Sequence, residues 1–170
     1  RAFDPKPIGS GIDELDDLAN GGFERGTVTF ISGPPGVGKT TLGTTYATQA
    51  ADEHGRSAAY LFEERMEIFL HRCRSLGIPV DELREQDLLS IDVIEPLALS
   101  AEEFAHRVRH EVEERGTETV LIDGIGGYVS AIQGKEDELD QELHSLTRYL
   151  CNREVTVFVT DAIHQITGLS

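Results

Sequence analysis

Eight consecutive residues have the composition of a phosphate-binding loop. The segment GPPGVGKT, residues 33–40, matches the pattern GxxxxGK[ST] without a mismatch. In such a loop the glycines let backbone N–H groups surround an anion, the lysine meets the β- and γ-phosphates, and the hydroxyl ligates Mg²⁺. We therefore expect Thr40 to hold the metal and Lys39 to contribute to catalysis. The residues expected to bind the nucleotide are Gly33, Pro34, Pro35, Gly36, Val37, Gly38, Lys39, Thr40 and Thr41.

An aspartate after an apolar run is the second candidate for this chemistry. Val120, Leu121 and Ile122 are consecutive apolar residues, and Asp123 follows them. Phosphate-loop proteins place an aspartate near the magnesium ion at the end of another buried strand. An aspartate after a strand is also a common turn residue. Together with the phosphate loop, the pattern predicts that Asp123 holds Mg²⁺, partly through water.

Two adjacent glutamates follow another predicted strand. Glu63 and Glu64 come directly after the apolar segment that ends at Phe62. Open α/β sheets bind ligands outside the carboxyl ends of their strands, and a carboxylate there can orient or deprotonate a water molecule. In a chain rich in acids, the pair could also be ordinary surface residues. We expect Glu63 or Glu64 to be catalytic, and the sequence does not distinguish between them.

These candidate residues lie in a chain that alternates strands and helices. Continuous apolar and β-branched runs predict strands at 27–32, 57–62, 88–93, 119–122 and 155–160. Helical spacing predicts helices over 39–52 and 66–76, a third that Ser100 and Glu103 cap and Gly116 ends, and a fourth that carries Leu139, Leu143, Leu146 and Leu150. We expect a glycine-containing loop over 124–134. The alternation predicts a mainly parallel sheet with helices on both faces, a three-layer α/β sandwich, in one domain spanning 1–170.

Charge and composition exclude several classes of protein. The 170 residues carry 31 Asp and Glu against 15 Lys and Arg, which gives a net charge of −16. Such a surface repels phosphate backbones, so we expect no nucleic-acid partner. Only three of the cations are lysine, a pattern that indicates a halophilic organism whose salt screens the self-repulsion. We find no apolar run long enough to span a bilayer and no N-terminal signal, and we expect a cytoplasmic protein.

Four segments of the chain resemble the KaiC-like ATPases of the RecA superfamily. The resemblance as a whole extends over nearly the whole chain, and the Phe-Glu-Glu element separates these ATPases from generic phosphate-loop proteins. The four segments are GIDELD at 11–16 leading into GGF at 21–23, GPPGVGKTT at 33–41, YLFEER at 60–65 and VLIDG at 120–124.

The resemblance implies a RecA-like fold, ATP and Mg²⁺ as cofactors, and a homo-oligomeric ring, usually a hexamer, with ATP between subunits. It also implies that the paired glutamates serve hydrolysis. The superfamily places a polar group that senses the γ-phosphate after the last predicted strand, where Thr160, Asp161 and Gln165 are candidates.

The chain departs from the family pattern in two places. KaiC-like domains continue for several more strands and contribute a Lys or Arg finger to the neighbouring subunit's ATP, and no segment of this chain occupies that place. Residues 165–168, QITG, resemble the sequence before a mobile loop of the family, whereas Leu169 and Ser170 resemble the sequence after it. We therefore expect residues to be missing at 168/169 and beyond 170.

The leading hypothesis is a KaiC-like, Mg²⁺-dependent ATPase that acts as a regulatory or signalling ring, with an unidentified protein partner. The resemblance leaves open a Ser/Thr autokinase activity. A second hypothesis is a DNA-binding ATPase related to the RecA recombinases and their RadA paralogues, against which the negative charge argues. A third is an interaction module that binds ATP with negligible turnover.

Overall fold

Five strands form one parallel sheet. The computed structural model describes residues 24–32, 38–131 and 134–160. The sheet order is β1-β5-β4-β2-β3, and each of the four neighbouring pairs is parallel. The strands are β1 (Val28–Ile31), β2 (Ser57–Leu61), β3 (Leu89–Val93), β4 (Thr119–Asp123) and β5 (Thr156–Thr160). All five lie within one residue of the segments that alternation of apolar runs predicts.

Helices connect the strands and cover the sheet on both sides. They are α1 (Lys39–His54), α2 (Met66–Ser75), α3 (Val80–Glu85), α4 (Ala101–Arg115), α5 (Ile125–Ala131) and α6 (Glu136–Asn152). Among the described residues, no helix is both long and apolar enough to cross a membrane.

Alternate residues of the central strands point to opposite faces of the sheet, as the pleat requires. One face packs against α4, α5 and α6, and its buried strand residues are Ala58, Tyr60, Val120, Ile122, Val157 and Val159. The other face packs against α1, α2 and α3, and its buried strand residues include Ala59, Leu61, Leu121 and Phe158. The predicted three-layer α/β arrangement, a RecA-like fold, is thereby confirmed.

The helix boundaries follow the local signals in the sequence. At the start of α4, the Glu103 backbone N–H donates to Ser100 Oγ at 3.1 Å, and the Ser100 N–H donates to Glu103 Oε1 at 3.2 Å. This reciprocal pair is a capping box. Gly116 ends α4 in the left-handed region at φ 68°. The predicted leucine stripe of α6, residues 139–150, is buried against the sheet.

The predicted loop over 124–134 is wrong, because most of it forms helix α5. Glycines at 124, 126 and 127 lower helix propensity, and this low propensity led to the prediction of a loop. Ile125 and Tyr128, spaced i, i+3, are 0% and 1% exposed. Their burial against the sheet stabilises the helix by more than the glycines disfavour it. Helix α3 was also not predicted, and it is held by the buried Val80 and Leu83.

A buried arginine ties three elements together at the amino ends of the strands. Arg56 is 7% exposed and donates to the Ser90 hydroxyl and the Asp87 carbonyl. It also forms ion pairs with Asp87 at 2.8 Å and with Glu111 of α4 at 3.2 Å. Asp87 is also paired with the exposed Arg115.

We expect Arg56→Ala to lower the free energy of unfolding by about 3–5 kcal/mol, because the half-buried Glu111 would keep its charge without its cation. Urea unfolding followed by circular dichroism measures this loss. Arg115→Ala is the matched control, since Arg115 is exposed and its removal should have a much smaller effect. Equal losses in the two variants would contradict the structural role of Arg56.

Candidate functional site

The carboxyl ends of four neighbouring strands bring the candidate residues together. In the register of the sheet, Ile31 lies beside Thr160, and Leu61 lies beside Asp123. Ligands of open parallel sheets bind outside this edge. The two glutamates follow β2 at this edge, and Thr40 of α1 and Thr160 of β5 both contact Asp123 there, although they are 120 residues apart in the sequence.

The first turn of α1 carries the described part of the phosphate loop. Gly38 precedes the helix in the left-handed region at φ 83°, which favours glycine. Lys39 and Thr40 are the first two helical residues, and the first turn contains no acidic side chain. Gly33, Pro34, Pro35, Gly36 and Val37 lie outside the described residues. The start of α1 therefore has the composition that an anion site at a helix N-terminus requires.

A buried carboxylate lies directly beside this first turn. Asp123, at the end of β4, is 4% exposed. Its Oδ1 accepts hydrogen bonds from the hydroxyl of Thr40 at 3.0 Å and from that of Thr160 at 2.5 Å. Burial raises the pKa of Asp123, and the two hydrogen bonds partly oppose that shift. The two hydrogen bonds thus fix the position of the carboxylate, while burial disfavours its charged form.

The donor set at Asp123 fits a magnesium ion. Thr40 and Asp123 offer a hydroxyl and a carboxylate, the hard oxygen ligands that Mg²⁺ prefers. No group of three or more His, Cys, Asp or Glu side chains arranged for a metal occurs in the part of the chain that the structure describes. Proteins often supply only one or two ligands to Mg²⁺, and substrate phosphates and water supply the rest.

The two adjacent glutamates have different surroundings. Glu64 has a side chain that is 15% exposed, and both of its oxygens accept from the Arg72 guanidinium, Oε2 at 2.9 Å. This two-bond ion pair raises the pKa of Arg72, mainly through the hydrogen bond. Glu63 is exposed. Its side chain lies over the backbone at the start of α5, and a Cβ atom placed on Gly127 would be 2.6 Å from Glu63 Cγ.

Thr160 links the aspartate to the backbone of α5. Its hydroxyl donates to Asp123 Oδ1 and accepts from the Gly124 N–H at 2.9 Å. Of the three predicted candidates for a γ-phosphate sensor, Thr160 lies at the site, whereas Asp161 and Gln165 lie outside the described residues.

Sequence reasoning missed three contributors to the site. Arg72 was not assigned to the site from the sequence, although its position on the predicted helix eight residues after Glu64 made it a possible partner of the glutamates. Gly124 and Gly127 were interpreted as loop residues, and no pattern in the sequence indicated that they contact Glu63.

Comparisons with known proteins agree with this arrangement. The family described as "ATPase: KaiC" matches residues 8–168. The circadian clock oscillator protein KaiC 1 of Synechocystis sp. and KaiC of Synechococcus elongatus are each 24% identical over 161 residues, and KaiC of Acaryochloris marina is 23% identical. These alignments cover 95% of this chain and about a third of each relative, 31%, 31% and 30% in turn. Because the family match spans nearly the whole chain, the chain belongs to the KaiC family of ATPases.

Proposed function

We propose that this protein is a Mg²⁺-dependent ATPase whose site lies at the carboxyl edge of the sheet. The observation that carries the proposal is the contact between the Thr40 hydroxyl, at the start of α1, and the buried Asp123 carboxylate at the end of β4. A hydroxyl and a carboxylate in this relation to a phosphate loop are the protein ligands of magnesium in phosphoryl-transfer enzymes. The family membership supports the same activity.

The residues at this edge of the sheet have separate roles in the proposed reaction. Lys39 and the N–H groups that begin α1 bind the β- and γ-phosphates. Thr40 and Asp123 would hold Mg²⁺, which would supply neutralisation of the negative charge on the phosphates. Thr160 orients Asp123 through its hydrogen bond to Oδ1. The attacking oxygen comes from water, and a carboxylate takes the proton that water loses when the bond to the γ-phosphorus forms and the bond to ADP breaks.

We propose that Glu63 is the carboxylate that accepts this proton. Both oxygens of Glu64 accept hydrogen bonds from Arg72, so an attacking water molecule would have to compete with the guanidinium for them. Glu63 follows β2 at the same edge as Asp123 and is accessible to water. Glu64 and Arg72 hold the segment between β2 and α2 in place and so position Glu63.

The biological setting belongs to the proposal as well. We infer a homo-oligomeric ring with regulatory or signalling function, in line with the clock proteins that the chain resembles. The excess of acids over bases and the shortage of lysine support a halophilic, cytoplasmic origin. Light scattering with and without ATP in molar KCl tests the assembly.

The test of the activity is ATP hydrolysis by the full-length protein in Mg²⁺ and molar KCl, measured as phosphate release. We expect turnover that EDTA abolishes. Lys39→Ala should weaken ATP binding by about 10–100-fold, since a charge-assisted contact to phosphate is lost. Lys135→Ala removes an exposed lysine that directly precedes α6 and serves as the matched control.

Two results would contradict the proposal. If the Lys39 and Lys135 variants bound ATP equally well, the phosphate-loop assignment would fail. Tight ATP binding by the wild-type protein without any turnover would instead favour an interaction module that binds ATP as a signal.

A further inference from the structure

We propose that Gly127 is a positioning residue for Glu63, a role that rests on the proposed ATPase function. Because residue 127 has no side chain, the Glu63 side chain can lie directly against α5 at this position. A Cβ atom at Gly127 would be 2.6 Å from Glu63 Cγ, closer than real Cβ atoms come to a neighbouring heavy atom, and 3.1 Å from Oε1, a tight contact. The glutamate therefore occupies the space that any larger residue at 127 would fill.

Backbone conformation does not explain this glycine. Gly124 has φ 76°, a value that favours glycine regardless of its neighbours, whereas Gly127 is not among the residues with positive φ. It lies within a helix, where alanine is preferred over glycine. The close approach of Glu63 explains glycine at 127 where backbone conformation does not.

Helix α5 is fixed to the sheet, so a side chain introduced at 127 would displace the glutamate and not the helix. The Gly124 N–H donates to the buried Thr160 hydroxyl at 2.9 Å. Ile125 and Tyr128 are buried, and the Tyr128 hydroxyl donates to the Leu99 carbonyl at 2.5 Å. The atoms that a methyl group at 127 would meet belong to the side chain of an exposed residue, whereas α5 is packed against the sheet. Gly127→Ala should therefore leave the fold intact and move the Glu63 carboxylate.

The kinetic test compares the wild-type protein, Gly127→Ala, Glu63→Gln and the variant with both substitutions. We expect Gly127→Ala to lower kcat by about 10–100-fold, because a shift of about 1 Å in a reacting group costs up to about 100-fold. The affinity for a fluorescent ATP analogue should stay at the wild-type value. Added to Glu63→Gln, the Gly127 substitution should cause no further loss, since its effect acts through the glutamate.

A thermal unfolding cycle without nucleotide tests the contact independently of activity. With Glu63 replaced by Ala, Gly127→Ala should raise Tm by about 2 °C, because the helix gains propensity and nothing blocks the methyl group. In the presence of Glu63, the same substitution should raise Tm less or lower it.

The outcomes separate this inference from the proposed function. If Glu63→Gln abolishes turnover while Gly127→Ala leaves it at the wild-type rate, the positioning role of Gly127 is wrong and the ATPase assignment stands. If Glu63→Gln turns over like the wild-type protein, the assignment of Glu63 as the base fails, and the role of Gly127 fails with it. Equal Tm changes in the two backgrounds would show that residue 127 does not contact Glu63.

Discussion

Glu63→Gln is expected to lower the rate of ATP hydrolysis by about 10²–10⁴-fold, the usual contribution of a general base. The amide keeps the size of the side chain and its position against α5, but it cannot accept the proton from water. Nucleotide affinity should be unchanged, because Lys39, Thr40 and the start of α1 are untouched. Phosphate release under saturating ATP and Mg²⁺ measures the rate, and titration of a fluorescent ATP analogue measures the affinity.

Glu64→Gln is the matched comparison, since the two glutamates are adjacent and have the same chemistry. Glu64 lies in the ion pair with Arg72, so its replacement should loosen the segment after β2 and reduce turnover by about tenfold or less. Arg72→Met should produce a loss of similar size through the same ion pair. If Glu64→Gln were the inactive variant and Glu63→Gln the active one, our assignment of the base would be reversed.

Asp123→Asn is expected to have opposite effects on activity and stability. The neutral amide is a poorer magnesium ligand, and we expect turnover to fall by about 10²–10³-fold because the metal supplies several kcal/mol of charge stabilisation. Without nucleotide or metal, the variant should be more stable by about 1 kcal/mol, or about 2–4 °C in Tm. Its Oδ1 still accepts from Thr40 and Thr160, and the cost of burying a charge is removed.

The pH dependence of this gain follows from the raised pKa of Asp123. The folded protein binds the carboxyl proton more tightly than the unfolded chain, so burial of the charge destabilises the fold when both states are ionised. The penalty is complete above the folded-state pKa and disappears as the pH falls below the ordinary value of 3.8. Differential scanning calorimetry of both proteins across this range measures it. A variant less stable than the wild-type protein at neutral pH would contradict a net cost of charge burial.

Most of the fold follows from local signals. The alternation of apolar strands with amphipathic helices predicted the three-layer sandwich, because buried parallel strands need continuous apolar runs. The capping box at Ser100 and the glycine at 116 marked the ends of α4. Helix α5 was missed, since its glycines disfavour a helix locally and only the burial of Ile125 and Tyr128 against the sheet compensates.

The candidate site, like the fold, could be predicted from the sequence only in part. The phosphate loop, Asp123 and the pair Glu63 and Glu64 were predicted from residue types that follow strands, since the carboxyl ends of parallel strands share an edge. Which of the two glutamates pairs with Arg72 and which lies against Gly127 could not be predicted, because Arg72 and Gly127 approach them from separate helices.

The chemistry proposed for this protein could be predicted from its sequence, because a phosphate loop and strand-end carboxylates are local patterns with a defined place in a parallel sheet. Which glutamate is paired with Arg72, and which lies on the glycines of α5, follows only from the three-dimensional arrangement. It also decided that Asp123 is buried between Thr40 and Thr160. These properties depend on distances between residues far apart in the chain, and local patterns in the sequence carry no information about such distances.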